Sequence, residues 1–181
     1  VCLALPEVYE VGMSNLGMQV LYTIVNAEDD FLAERAYAPW VDMDDRMRAE
    51  GIPLFSLESR RPLAEFDFIG FSLQTELNYT NVLNMLDLAG IPLWADQRDE
   101  RHPLVIAGGS CALNPEPLAA FVDLFVVGEG EEVITELLQA YEQAKGASRQ
   151  EFLRQAARIG GVYVPSLYNT EYNDDGTVAA T

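Results

Sequence analysis

Four short stretches carry the residue types that could hold a bound group: Glu7-Val8-Tyr9-Glu10-Val11-Gly12, Ser72-Leu73-Gln74, Gly108-Gly109 and Gly128-Glu129-Gly130-Glu131. Glycine lets a backbone come close to a ligand, while Ser72, Gln74, Glu7, Glu129 and the Tyr9 phenol supply hydrogen-bonding atoms. Each glycine taken alone reads as turn punctuation. Four such stretches in one chain suit binding better than bond breaking. Nucleophilic catalysis needs an activating base. The single histidine, His102, sits in the charged stretch 96–102, and neither Cys2 nor Cys111 has it at a plausible position. Gly128-Glu129-Gly130-Glu131 matches half of a dinucleotide fingerprint, but its acids would repel a pyrophosphate. Its glutamates read as charges at a helix N-terminus, with Glu129 still able to accept from a ligand hydroxyl or amide.

The elements that must position these stretches follow from periodicity. Val1–Leu5 reads as a buried parallel strand, and Met13–Asn26 as a helix capped by Ser14 or Asn15, with Leu16, Val20, Leu21, Ile24 and Val25 on one face. A strand over 35–40 and a short charged helix over 42–50, ended by Gly51, come next. Phe66–Leu73 is the clearest central strand. The helix Tyr79–Ala89, the strand Leu104–Ala107, a proline-started helix over Pro115–Phe121, the strand Leu124–Val127 and the helix Glu132–Lys145 follow. Alternating strands and helices predict a doubly wound, mainly parallel five-stranded sheet in a three-layer α/β/α arrangement. Such a sheet gathers the loops after its strands on one edge, where ligands bind. Residues 1–145 are expected to form this domain. Residues 146–181 are expected to form a linker helix and the start of a connection to a further domain.

Composition narrows the classes. The 181 residues carry a formal net charge of −18, with 49% hydrophobic and 22% charged residues. Such a surface repels phosphate backbones, so direct nucleic-acid binding is disfavoured. No apolar run reaches the roughly 18 residues of a membrane span, and two cysteines suit neither a disulfide framework nor a cluster, so a cytoplasmic setting is expected. Val1 enters a strand directly, and Asn173–Thr177 reads as a hairpin turn whose second strand stops at Thr181. Both ends look cut from a longer protein.

Laid end to end, the loop motifs resemble the cobalamin-binding domain family, whose pattern is D-x-H-x-x-G after the first strand, S-x-L after a middle strand and G-G after the next. Glu7 and Gly12 keep the acid and glycine of the first motif, and Tyr9 stands where the family has its cobalt-ligating histidine. Ser72 is kept while Gln74 replaces the leucine, and Gly108-Gly109 is intact. The longer strings YEVGMSNLGMQVLYTIVN, FSLQTELNYTNVLNMLDLAGIPL and PLVIAGGSCALNPEPLAAFVDLFVVGEGEEVI are similar to the N-terminal segment of radical S-adenosylmethionine (SAM) proteins with a cobalamin-binding-like domain ahead of a radical barrel. The resemblance runs roughly from Val1 to Pro165.

The resemblance implies a cobalamin site at Glu7, Tyr9, Gly12, Ser72, Gln74, Gly108 and Gly109, with Glu129 beside it. The corrin would lack a histidine lower ligand, because a neutral phenol is a poor ligand for cobalt and Tyr9 suits a platform beneath the ring. It also implies a 4Fe-4S cluster and S-adenosylmethionine in a downstream domain, since C-x-x-x-C-x-x-C is not in this sequence. The chain itself is then non-catalytic, with the downstream barrel as its partner. The dimethylbenzimidazole tail is expected in a slot lined by Ser72 to Gln74 and Gly108-Gly109, which a leucine at Gly109 should fill while perturbing the edge loop only modestly. The alternatives are a vestigial interaction or gating module that binds no cofactor and, third, a flavodoxin-like FMN or nucleotide site.

Overall fold

The computed structural model describes residues 1–169 and 171–180. Its central strands are largely apolar because each is buried on both sides. In β1 (Cys2–Leu5), Cys2 and Ala4 enter one core while Leu3 and Leu5 enter the other. The same alternation sends Ile69 and Phe71 of β3 (Phe68–Ser72), Val105 and Ala107 of β4 (Leu104–Gly108) and Phe125 of β5 (Leu124–Val126) to the first core. Phe68, Leu104, Ile106, Leu124 and Val126 go to the second.

With β2 (Glu34–Tyr37) and β6 (Val162–Tyr163), these strands form a six-stranded sheet in the order β2-β1-β3-β4-β5-β6. The first five are mutually parallel, and β6 pairs antiparallel with β5. The fold is the expected doubly wound α/β sheet, with one antiparallel edge strand beyond the five anticipated.

Helices cover both faces. Met47 of α3 (Val41–Glu50) and Val82, Met85 and Leu86 of α4 (Tyr79–Leu88) close the first core. Met18 and Val25 of α2 (Leu16–Asn26), Leu137 and Leu138 of α5 (Gly130–Gln143) and Phe152 and Leu153 of α6 (Arg149–Ala156) close the second. There Phe68, Tyr141 and Phe152 meet edge to face.

Local signals set the boundaries. Asn15 caps α2 by accepting from Met18 N at 2.8 Å. The expected Met13–Asn26 helix is broken ahead of that cap, leaving α1 (Tyr9–Gly12) as a separate turn and Leu16 71% exposed rather than in the core. The helix expected over 115–121 is a 3-10 turn, Glu116–Leu118, and a second 3-10 turn, Ser110–Leu113, precedes it. The hairpin exists as β7 (Glu171–Tyr172) and β8 (Val178–Ala180), closed by Asn173 N on Thr177 O at 2.8 Å. Thr181, its expected last residue, lies outside the described residues.

Buried polar clusters pin the amino edge of the sheet. Asp123 accepts from Val105 N and Arg149 at 2.7 Å each, with Arg98 at 3.4 Å. Arg149 also donates to the carbonyls of His102 and Pro103, so α6 is tied to the loop before β4. His102 itself faces Asp99 at 2.9 Å.

At the start of β2, Glu34 is 6% exposed and accepts from the Ser56 hydroxyl and from the hydroxyl and amide of Ser59. Burial alone would raise its pKa, but the serine donors outweigh it and hold the carboxyl below its ordinary 4.5. Glu34 therefore contributes stability that is fully present above pH 4.5 and is lost as pH falls through its lowered folded value. Glu34→Gln is expected to lower the melting temperature at pH 7 and to flatten this acid limb. Thermal melts of both forms between pH 3 and 7 check it, and parallel acid limbs would refute the assignment.

Candidate functional site

Between the sheet and helices α2 and α5 lies a cavity of about 180 Å³. Its apolar walls are Leu3, Ile106 and Val126 from the sheet and Met18, Leu21 and Ile134 from the helices. Ser72, Gln74, Gly108, Gly109, Gly128 and Glu131 stand at its mouth, beyond the carboxyl ends of the strands. Helix α2 follows β1 onto one face and α4 follows β3 onto the other. The β1/β3 neighbours beneath the slot are thus the point where the winding reverses, the ligand position of doubly wound sheets.

The slot is a gap left by side chains that are missing. In β3 and β4, Gly70, Ser72 and Gly108 take the positions whose side chains would point to this face, and Ser72 is registered against Gly108. Gly17 and Gly130 face them from the helices. A Cβ at Gly17, Gly70, Gly108 or Gly130 would find its nearest neighbour at 3.5, 3.6, 3.7 and 3.5 Å respectively, which is ordinary contact. None of the four needs an unusual backbone, and a glycine inside a helix or strand costs roughly 0.5–1 kcal/mol. What the four provide in common is space. At about 180 Å³ the slot is smaller than the roughly 300 Å³ where sites for whole small molecules begin.

Gly109 does different work. Its φ is +95°, and a Cβ there would lie 2.7 Å from Leu73 O and 3.1 Å from Leu73 N. Leu73 N donates to Gly108 O at 2.7 Å and Cys111 N to Leu73 O at 3.1 Å, so the loops after β3 and β4 are stitched together here. A leucine at Gly109 would break this seam before it filled the slot, which corrects the modest perturbation expected of that substitution. Gly12 is also a packing glycine: a Cβ would strike Leu5 Cδ2 at 2.5 Å and the Tyr37 ring at 2.9 Å.

The other anticipated residues lie away from the slot. Tyr9 is 44% exposed and sits edge-on to Tyr37 with ring centroids 5.3 Å apart, beside the end of β2. Glu7 is half-buried, and its carbonyl accepts from Ala38 N at 2.9 Å. Glu129 precedes α5 without a side-chain cap bond, and its neighbour Glu131 takes the position at the mouth. The structure thus brings Ser72, Gln74, Gly108 and Gly109 together and leaves Glu7, Tyr9, Gly12 and Glu129 outside the cavity. Gly17 and Gly70 escaped the sequence reading, and Gly130 stood in one of its four stretches without being assigned to the site. A glycine in the middle of the apolar string FDFIGFSL was the available signal.

A larger recess of about 400 Å³ opens at the opposite, amino edge, where Arg101, His102 and Lys145 are interleaved with Glu65, Asp67 and Glu100. Its mixed charges favour no single ligand, and no strand carboxyl end faces it. Among the described residues no group of three or more His, Cys, Asp or Glu side chains is placed to hold a metal ion. No described helix is long and apolar enough to cross a membrane.

Fold and cavity together define a doubly wound α/β domain with a glycine-lined cavity at its switch point. The sequence model of the family of N-terminal domains of radical SAM proteins matches residues 17–165, and the chain belongs to that family. No curated protein matches it. Among solved structures it is similar to the radical S-adenosylmethionine methyltransferase TsrM from Kitasatospora setae, whose structure holds a tryptophan substrate and the SAM analogue aza-SAM. The superposition has a TM-score of 0.54 at 15% identity and covers 97% of this chain but 28% of the methyltransferase. At that identity the likeness speaks for the fold.

The two kinds of glycine separate by stability. Gly109→Ala is expected to cost at least about 2 kcal/mol, because it adds left-handed strain to a backbone clash. Gly70→Val, at an open strand position, is expected to stay within about 1 kcal/mol of the parent. Urea denaturation of both variants checks the contrast.

Proposed function

We propose that this chain is the corrinoid-binding domain of a radical SAM enzyme and that the slot takes the nucleotide base at the end of the corrinoid's tail. The observation that carries the reading is the convergence of Gly17, Gly70, Gly108 and Gly130 on one cavity with no local need for glycine. The pattern-level match of Ser72 and Gly108-Gly109 to the cobalamin-binding motif points to the same place.

The edge around the slot fits such a ligand chemically. The loops after the five parallel strands, residues 6–15, 38–40, 73–78, 109–114 and 127–129, carry Glu7, Glu10, Glu76 and Glu129 and no lysine or arginine. A polyphosphate nucleotide or FMN finds no cation there, which argues against a flavodoxin-like site. A corrin periphery bears carboxamides, which donate to carboxylates such as these. When bound, a corrinoid supplies a redox-active cobalt. This chain's residues would bury the tail base, leave the lower face of the metal without imidazole, and set Tyr9 on Tyr37 near the ring. Cys2 takes no part: it is fully buried, and burial pushes its thiol far above the ordinary range.

The same edge exposes large apolar side chains, among them Val11 at 61%, Trp40 at 66%, Leu77 at 86% and Leu113 at 74%. We read it as the surface that the radical SAM domain of the full-length protein covers, with the cluster and S-adenosylmethionine on that side and the chain beyond β6 as the connection. The other reading, an interaction or gating module without a cofactor, draws on the same apolar edge and on the loss of the histidine at Tyr9.

Binding measured by visible absorbance on the full-length protein under anaerobic conditions separates them. Micromolar cobalamin is expected to bind, and Gly70→Val to weaken it at least about tenfold while the melting temperature holds. No binding by the parent would favour the interaction module. Electron paramagnetic resonance of the cob(II)alamin form is expected to lack superhyperfine splitting from a protein histidine nitrogen, and its presence would overturn the placement of Tyr9.

A further inference from the structure

Strand β2 is the outer strand of the sheet, and a bare outer strand is a template for a further one. It bonds β1 through alternate residues: Glu34 N donates to Val1 O at 3.0 Å and Ala38 N to Leu5 O at 3.3 Å. Arg35 and Tyr37, of the other parity, turn their backbone groups outward. Both outward groups of Arg35 are taken, but not by a strand. Its N–H donates to Glu58 Oε2 at 2.7 Å, and its carbonyl accepts from Leu57 N at 2.7 Å. Two residues earlier, the Asn26 carboxamide accepts from Ala33 N at 2.9 Å and donates to Ala33 O at 3.2 Å. Tyr37 meets no such partner among the described residues.

Leu57 and Glu58 stand at the tip of a small hairpin. Phe55 pairs antiparallel with Pro62, and Ser56 N donates to Arg61 O at 2.9 Å, leaving 57–60 as a four-residue loop. Arg60 closes it at φ +59°, the one positive φ among the described non-glycine residues. The tip is tied to β2 by side chains as well: Glu58 Oε1 accepts from Arg35 Nε at 2.7 Å, and Glu34 Oε2 from the Ser59 hydroxyl at 2.7 Å. Leu57 is 44% exposed, so the tip does not fill the core. We propose that residues 57–60 are an edge guard, imitating with one amide and one carboxylate the strand that would otherwise pair with β2, and that the partner they exclude is a second copy of this chain. Two copies of β2 related by a two-fold axis at Ala36 pair antiparallel, with Arg35 of each opposite Tyr37 of the other, and the outward groups of both residues are exchanged. That register sets a guanidinium beside a tyrosine ring, the contact Arg35 already makes with Tyr22 at 4.9 Å. By holding Arg35, the guard withholds half of each exchange.

The test uses the full-length protein. Replacing residues 57–60 by Asn-Gly keeps the hairpin base and closes it with a two-residue turn, so only the guard is lost. Hydrogen exchange, read by mass spectrometry on peptides covering residues 33–38, is expected to run at least about tenfold faster than in the parent at low micromolar protein. As the concentration rises into the tens of micromolar, light scattering is expected to show the shortened form doubling in mass relative to the parent, while exchange in the same peptides slows again. Glu58→Ala removes one of the two stand-ins without shortening the chain and is expected to speed exchange by a smaller factor. Glu58→Gln keeps an oxygen for Arg35 N and is expected to match the parent. Parent-like exchange in Glu58→Ala and in the shortened form would overturn the guard. Fast exchange with the parent's mass at every concentration would overturn the second copy as the excluded partner, as would doubling without renewed protection of these peptides.

Discussion

The carboxyl edge of this domain depends on one close approach, Gly109 against the backbone of Leu73. At φ +95°, Gly109 turns the chain out of β4 so that Leu73 can bond Gly108 on one side and Cys111 on the other. That seam holds the ends of β3 and β4 in register out to Ser72 and Gly108, the last paired positions of the two strands. With the ends in register, the missing side chains of Gly70 and Gly108 lie on one face and add up to a slot instead of two unrelated dimples. Substituting Gly109 therefore acts on the frame, whereas substituting Gly70 acts on the space. The first loses the site with part of the fold; the second loses the site alone.

Charge is distributed to match. The formal balance of −18 leaves few cations, and those that bury themselves, Arg98 and Arg149, are spent on Asp123 and carbonyls at the amino edge. Burial holds the Arg98 guanidinium below its ordinary pKa, with Asp123 opposing that shift. Removing one member of such a group leaves its partners buried and unpaired, so the cluster works as an all-or-none clamp on β4, β5 and α6. The site edge, by contrast, carries acids and apolar groups without counter-cations. The buried polar clamp lies at one end of the strands and the cavity at the other. Stability and binding are therefore open to separate change.

Much of this was legible in the sequence, and the physical reasons for success and failure differ by element. Strands buried on both faces, such as Leu104–Gly108, stand out as unbroken apolar runs, so the parallel sheet could be read directly, while its strand order came only with the structure. The slot mouth at Ser72, Gln74, Gly108 and Gly109 was visible because motif spacing survives in one dimension. Its depth was not, because Gly17 on α2, Gly70 on β3 and Gly130 on α5 converge only once both helices pack on the same face. The roles of Gly12 and Gly109 were hidden for a related reason: a packing glycine and a ligand-facing glycine are the same letter, and only the distances from an imagined Cβ tell them apart. The break before α2 turned on one asparagine cap that periodicity alone undervalues.

On the corrinoid reading proposed above, a missing histidine need not mean a missing site. Tyr9 packs against Tyr37 at the end of β2, on the opposite side of β1 from the slot, so a tyrosine in place of the family's histidine would touch the metal's position and leave the tail's untouched. In a doubly wound sheet these two functions belong to different loops, one after β1 and the other after β3 and β4, and each is held by its own packing glycine, Gly12 or Gly109. A chain that gave up axial ligation while keeping an anchor would retain four glycines that its helices and strands would otherwise replace. Open helix and strand positions drift toward side chains that stabilise them by up to about 1 kcal/mol each. Their presence at Gly17, Gly70, Gly108 and Gly130 is the argument that something still enters the slot.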